Sequence, residues 1–193
     1  VMAPADEQEL RRMLVTAIGR EDGPSALRYP RGSAIGVDLV DPIEPLPIGK
    51  ARPLRTGDDA AILAVGSLVE PARRAAEQLA RQGVGVEVVD MRFIKPLDTG
   101  LLQEIWQRHR VVITAEENAL AGGFGAGVLE WAQQEGPADG PLVERLGIPD
   151  RFQDQATRAE LLADMGLDAD GIAAAVAAAL ERCEARRDER SAS

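Results

Sequence analysis

One cysteine, one histidine and 3% aromatic residues are all that this 193-residue sequence has of those types. Cys183 and His109 alone cannot build a structural zinc site, a disulfide framework or a Cys–His catalytic pair without help from another chain. So little cysteine fits a reducing compartment, and the expected location is the cytoplasm. No apolar run approaches the roughly 18 residues that cross a bilayer. Val1 to Glu7 lack the basic leader and apolar stretch of a signal peptide. Neither membrane insertion nor export by that route is expected. Cationic charge is scarce too: 22 Lys and Arg against 32 Asp and Glu leave a net charge of −10 at pH 7. No basic field is left to gather a phosphodiester backbone, which excludes nucleic acid as a partner. What is plentiful, 45% apolar and 28% charged residues, is the composition of one or two soluble α/β units.

Leu10, Met13, Leu14, Ala17 and Ile18 recur at helical spacing, so a helix is predicted over 5–19, stopped by Gly19 and by Gly23-Pro24. Ser25 to Tyr29 reads as a short strand ended by Pro30 and Gly32. Pro42, Pro45, Pro47 and Pro53 then interrupt any periodicity, marking a linker over 41–56 between two domains. After Asp58-Asp59 strands and helices alternate: strands 60–65, 84–90, 111–115 and 142–147, helices 70–82, 97–108, 124–134 and 157–165, and a last helix with Ile172, Ala175, Val176, Ala179, Leu180 and Cys183 on one stripe. Helices of this length between strands imply crossovers and a mainly parallel sheet. Cys183 on that stripe is core filler rather than a nucleophile. Residues 185–193 are expected to be a disordered, solvated tail. The abrupt start, an apolar pair followed by Ala-Pro and an acidic turn, looks like a strand end entering a helix, as if the beginning were missing.

His109, where a helix gives way to a strand, is placed to cap helix carbonyls. Gly122-Gly123-Phe124-Gly125-Ala126-Gly127 follows a strand and opens a helix, but a dinucleotide loop would need its third glycine at Val128, so the run is read as close packing of helix on strand. Glu116 and Glu117 fall at the carboxyl end of a parallel strand, where open α/β sheets bind ligands, although paired acids also complement a helix N-terminus. Arg28-Tyr29-Pro30-Arg31-Gly32 puts two guanidinium groups on a stiff turn of an acidic chain. Such a turn is suited either to a phosphate or carboxylate, gripped bidentately, or to surface ion pairs.

The runs Asp22 to Gly32, Leu46-Pro47-Ile48-Gly49-Lys50-Ala51 and Val89 to Asp98 (VDMRFIKPLD) closely resemble the 1-deoxy-D-xylulose-5-phosphate synthases of the transketolase superfamily. Glu116-Glu117-Asn118-Ala119 with Gly122-Gly123, then Gly147-Ile148-Pro149-Asp150 and the Asp154-Gln155-Ala156-Thr157 turn, follow in that family's order. The resemblance implies a three-layer α/β sandwich of the transketolase C-terminal type over 57–184, preceded over 1–40 by the last elements of a pyrimidine-binding domain. It implies a thiamine-diphosphate- and Mg²⁺-dependent transferase that joins pyruvate to D-glyceraldehyde 3-phosphate, releasing CO2. It implies that Arg31 holds the acceptor's phosphate, supported by Tyr29 and Arg28, and that Glu116 and Glu117 are structural. A homodimer is expected, with the family's N-terminal part as the missing partner. This chain holds none of the cofactor's ligands and should be inactive alone. Two other readings are a non-catalytic interaction module of the same fold and a fragment of a 2-oxo acid dehydrogenase beta subunit. The Tyr-Pro-Arg-Gly and Leu-Pro-Ile-Gly-Lys runs favour the synthase.

Overall fold

The computed structural model describes residues 1–137 and 139–191. Its first helix, α1 (Glu7–Ile18), starts at Asp6, whose carboxylate accepts the Glu9 N–H at 2.7 Å. An N-cap of this type satisfies a donor the helix itself cannot pair. Met13 and Thr16 face inward, while Leu14 and Ile18 stay exposed.

Five strands form one sheet: β1 (Arg52–Arg55), β2 (Ala60–Ala64), β3 (Val86–Asp90), β4 (Val111–Ala119) and β5 (Leu142–Ile148), in the order β1-β3-β2-β4-β5. All pairs are parallel except β1 with β3. Strand side chains alternate between faces. Ala60, Ile62 and Ala64 face α2 (Val69–Ala80) and α6 (Ala169–Ser191), with Leu162 of α5 (Arg158–Asp164) in the same core. Ala61, Leu63 and Val65 face α3 (Thr99–Arg108) and α4 (Phe124–Glu135), where the Trp106 and Trp131 rings meet edge to face. Two helix layers on one sheet make the three-layer α/β sandwich that the resemblance implies, around the mainly parallel sheet that the alternating pattern predicts.

Several details differ from the sequence reading. The strand expected over 25–29 shrinks to a single bridge: Met2 lies between Leu27 and Phe93, donating its N–H to the Ala26 carbonyl and accepting from Arg28 N. Its only neighbour there is a segment a few residues long, and Pro30 has no N–H to extend the ladder. The stretch read as linker contributes β1, an antiparallel edge strand that admits Pro53 because an edge leaves one row of N–H groups unused. Of the segment 185–193 expected as a tail, 185–191 are helical, and 192–193 lie outside the described residues. Its Glu, Arg and Ala residues favour helix, and neither Gly nor Pro interrupts them.

Candidate functional site: a cleft at the switch in strand order

From β2 the chain crosses one face to β3, then returns over the other face to β4 on β2's far side. The crevice outside the carboxyl ends of β2 and β4 is therefore the point where strand order reverses, the usual ligand site of an open α/β sheet. A cavity of about 120 Å³ lies there. Val65, Gly66 and Ser67 line it from the end of β2, Glu117 from the end of β4, and Arg28, Tyr29 and Pro30 from the N-terminal segment. Gly66 has φ +62°, and a Cβ on it would stand 3.3 Å from Ala3. That close approach lets the N-terminal segment roof the crevice.

The bridge at Met2 fixes the roof. Ala3 N donates to the Arg92 carbonyl and Ile94 N to that of Val1, both at 2.9 Å, so the Arg28 loop hangs from the end of β3. Charged groups reinforce this anchor. Arg92 Nε and Nη2 donate to the two Glu9 oxygens at 2.6 and 2.9 Å, both side chains being buried. Arg52 reaches Asp90 at 3.0 Å, Glu9 at 3.4 Å and Asp6 at 3.5 Å. Burial pushes the Asp90 carboxyl up to about 6 against the pull of Arg52 and Arg92. Lys50 and Ala51 N both donate to the Asp98 carboxylate at 3.1 Å, and the same carboxylate caps α3 through Leu101 N. The Leu-Pro-Ile-Gly-Lys and Asp-Met-Arg-Phe-Ile-Lys-Pro-Leu-Asp runs therefore meet, locking the N-terminal segment to the sheet.

Within the cleft Glu117 accepts from Ser67 Oγ and is clamped by Arg158 through Nε, at 2.7 Å, and Nη2. Burial alone would raise this carboxyl, but Arg158, Ser67 and the field of Arg28 hold it below the ordinary glutamate range. Glu117 is thus ionised and paired with Arg158, which leaves the charge of Arg28 available to an anion. Arg158 is brought here by the Asp-Gln-Ala-Thr turn, where Thr157 and Glu160 form a capping box at the start of α5. Sequence reasoning missed Ser67 and Arg158, since a lone Ser and an Arg 41 residues from Glu117 leave no local signal.

The predicted site residues divide. Arg28 and Tyr29 line the cavity. Arg31, the residue expected to hold the phosphate, does not line it; it follows Pro30, exposed and with no ion pair among the described residues. Glu116 is buried, accepting from Phe124 N at 2.7 Å and Gly125 N at 2.8 Å at the start of α4. The glycine-rich run thus closes around the chain's own carboxylate; a Cβ on Gly123 would come within 2.6 Å of both Glu116 oxygens. His109 does not cap carbonyls with its side chain, which turns inward to Glu87 at 2.6 Å. Among the described residues no three His, Cys, Asp or Glu converge as a metal-holding group.

Residues 49–172 match the family described as "Transketolase, C-terminal domain". The chain belongs to that family. It is 51% identical over 180 residues to the 1-deoxy-D-xylulose-5-phosphate synthase 1 of Geobacter sulfurreducens, covering 93% of this chain and 28% of that protein. The 1-deoxy-D-xylulose-5-phosphate synthase of Magnetococcus marinus is 52% identical over 174 residues, covering 90% and 28%. With the C-terminal-domain family matched over 49–172, the likeness is to a C-terminal portion of these synthases, and the chain spans 28% of the length of these relatives. Among solved structures, a "split gene transketolase, inactive beta4 tetramer" superposes with a TM-score of 0.80 at 32% identity, covering 93% of this chain and 57% of that one. No helix among the described residues is long and apolar enough to cross a membrane.

Proposed function

We propose that this chain is the acceptor-binding C-terminal portion of a synthase that condenses pyruvate with D-glyceraldehyde 3-phosphate to 1-deoxy-D-xylulose 5-phosphate and CO2, a precursor of isoprenoids, thiamine and pyridoxol. Arg28 and Arg31 hold the acceptor's phosphate, and Tyr29 packs beside it. The observation that supports this reading is the Arg28-Tyr29-Pro30 part of the turn lining the cleft at the switch in strand order, where the one carboxylate is already neutralised by Arg158. Pro30 stiffens the turn, so both guanidinium groups are held ready at low entropic cost. Thiamine diphosphate and Mg²⁺ belong to the part of the enzyme outside residues 1–193; the residues of this chain bind and orient the acceptor.

On this reading residues 1–40 complete the pyrimidine-binding domain, 41–56 connect it, and the C-terminal domain follows. Leu14, Ile18, Ile35, Leu39 and Val40 are exposed on the N-terminal segment, which supports a covering by the rest of the enzyme. The working form is a cytoplasmic homodimer, and the chain alone is inactive. In the complete enzyme, Arg28→Ala and Arg31→Ala should raise KM for glyceraldehyde 3-phosphate far more than for pyruvate, each losing a charge-assisted bond of about 1.5–3 kcal/mol. Equal effects on the two substrates would contradict the assignment.

A further inference from the structure

The other end of β4 opens on a second cleft, about 20 Å from the first by strand rise between Val111 and Glu117. Its volume is about 350 Å³, within the range of small-molecule sites. The last turns of α6 form one wall, and the segment before β5 forms the other. Arg110, Arg186 and Arg187 line it, opposed by the single carboxylate of Asp139. Arg110 and Arg186 alone set two cations against this one anion, in a chain whose net charge is −10. Arg110 and Arg186 are exposed and make no ion pair among the described residues.

His109 adds a second observation, independent of the arginines. It lines the same cleft at 4% exposure, with Nε2 at 2.6 Å from Glu87 Oε2. Arg108 Nη2 donates to both Glu87 oxygens, at 2.9 and 3.1 Å, so this carboxylate acts as the acceptor and His109 Nε2 carries the proton. The other ring nitrogen, Nδ1, is buried with no partner. A buried polar atom without a partner costs free energy that a bound ligand group would return. With Nε2 carrying the proton toward Glu87, Nδ1 is left as the acceptor of the ring, suited to the P–OH group of a phosphate in the cleft.

We propose that this cleft is a binding site for a small phosphorylated anion, held by the guanidinium groups of Arg110 and Arg186, with a P–OH of the ligand donating to His109 Nδ1. Two guanidinium forks suit phosphate oxygens bidentately, and the volume admits a diphosphate or a small phosphate ester. The ligand would tie the end of α6 to the segment preceding β5, away from the cleft at the switch in strand order. This inference does not depend on the proposed reaction.

The test is calorimetric titration of inorganic pyrophosphate, with orthophosphate in parallel, into the 193-residue chain in a buffer free of other polyvalent anions. Saturable one-site binding is expected in the sub-millimolar range, with the His109 ring resonances shifting on the same isotherm. Arg110→Ala and Arg186→Ala, both exposed and so tolerated by the fold, should each weaken it by roughly tenfold. Arg28→Ala/Arg31→Ala should leave it unchanged. Failure to saturate, binding indifferent to Arg110 and Arg186, or binding lost with Arg28 and Arg31 would each overturn the proposal.

Discussion

Glu9→Met tests the anchor that suspends the Arg28 loop from the sheet. Glu9 and Arg92 are buried to 1% and 8% side-chain exposure and share two hydrogen bonds, at 2.6 and 2.9 Å. Removing one partner of such a pair strands the other charge, at a cost of about 3–5 kcal/mol. Arg92 makes no other side-chain ion pair among the described residues, so Glu9→Met should cost that full range. Arg92→Met is gentler, because Glu9 keeps Arg52 and Arg12, each at 3.4 Å. Replacing both by methionine leaves no stranded charge, and the double variant should return to within about 1–2 kcal/mol of the parent. The assay is equilibrium urea unfolding at pH 7 across this cycle, with a constant slope verifying that the unfolded reference has not changed. Hydrogen exchange in Glu9→Met should speed up over α1 and residues 26–30 before the sheet core. A Glu9→Met cost below about 1 kcal/mol, or a double variant as damaged as the sum of the singles, would refute the reasoning.

Other consequences follow from the same geometry. Asp98→Ala removes an N-cap and the acceptor of Lys50 and Ala51, and should lower stability by about 1–3 kcal/mol in urea unfolding, with the Leu46–Ala51 segment exchanging faster. Asp90 holds its proton more tightly folded, near 6, than the ordinary 3.8. Its contribution is therefore fully present below about pH 4 and is lost as pH rises through about 6, some 3 kcal/mol across that window. Asp90→Asn should flatten that part of the stability–pH curve, and an unchanged slope would count against it. Glu116→Gln keeps one acceptor for the two α4 N–H groups and should cost about half of what Glu116→Ala costs, the latter being roughly 3–5 kcal/mol by thermal or urea unfolding.

Where periodicity was strong the fold could be read from the sequence: the alternation after Asp58, the crossovers they imply and the apolar stripe of α6 all appear in the structure. Apolar periodicity reports burial, and burial selects these elements. β1 escaped because four residues with a proline, on an edge, carry almost no pattern. The end of α6 escaped because a charged segment is polar whether it forms a helix or a tail. Charge pairing was the least legible part. Asp90 and Arg92 stand inside a recognisable motif, yet their partners Arg52 and Glu9 are 38 and 83 residues away, beyond any local rule. Arg28, Tyr29 and Glu117 could each be singled out, since strand ends and stiff turns are readable. That they share one cleft with Ser67 needed the switch in strand order, a property of the sheet rather than of any segment.

The central claim, that the Arg28–Arg31 turn binds the acceptor through its phosphate, is tested most directly by offering the complete enzyme two acceptors. With D-glyceraldehyde 3-phosphate, Arg28→Ala/Arg31→Ala should lower kcat/KM by at least about tenfold to a hundredfold. With D-glyceraldehyde, which has no phosphate to hold, the same double variant should match the parent enzyme within about twofold. Equal losses on both acceptors would contradict the account.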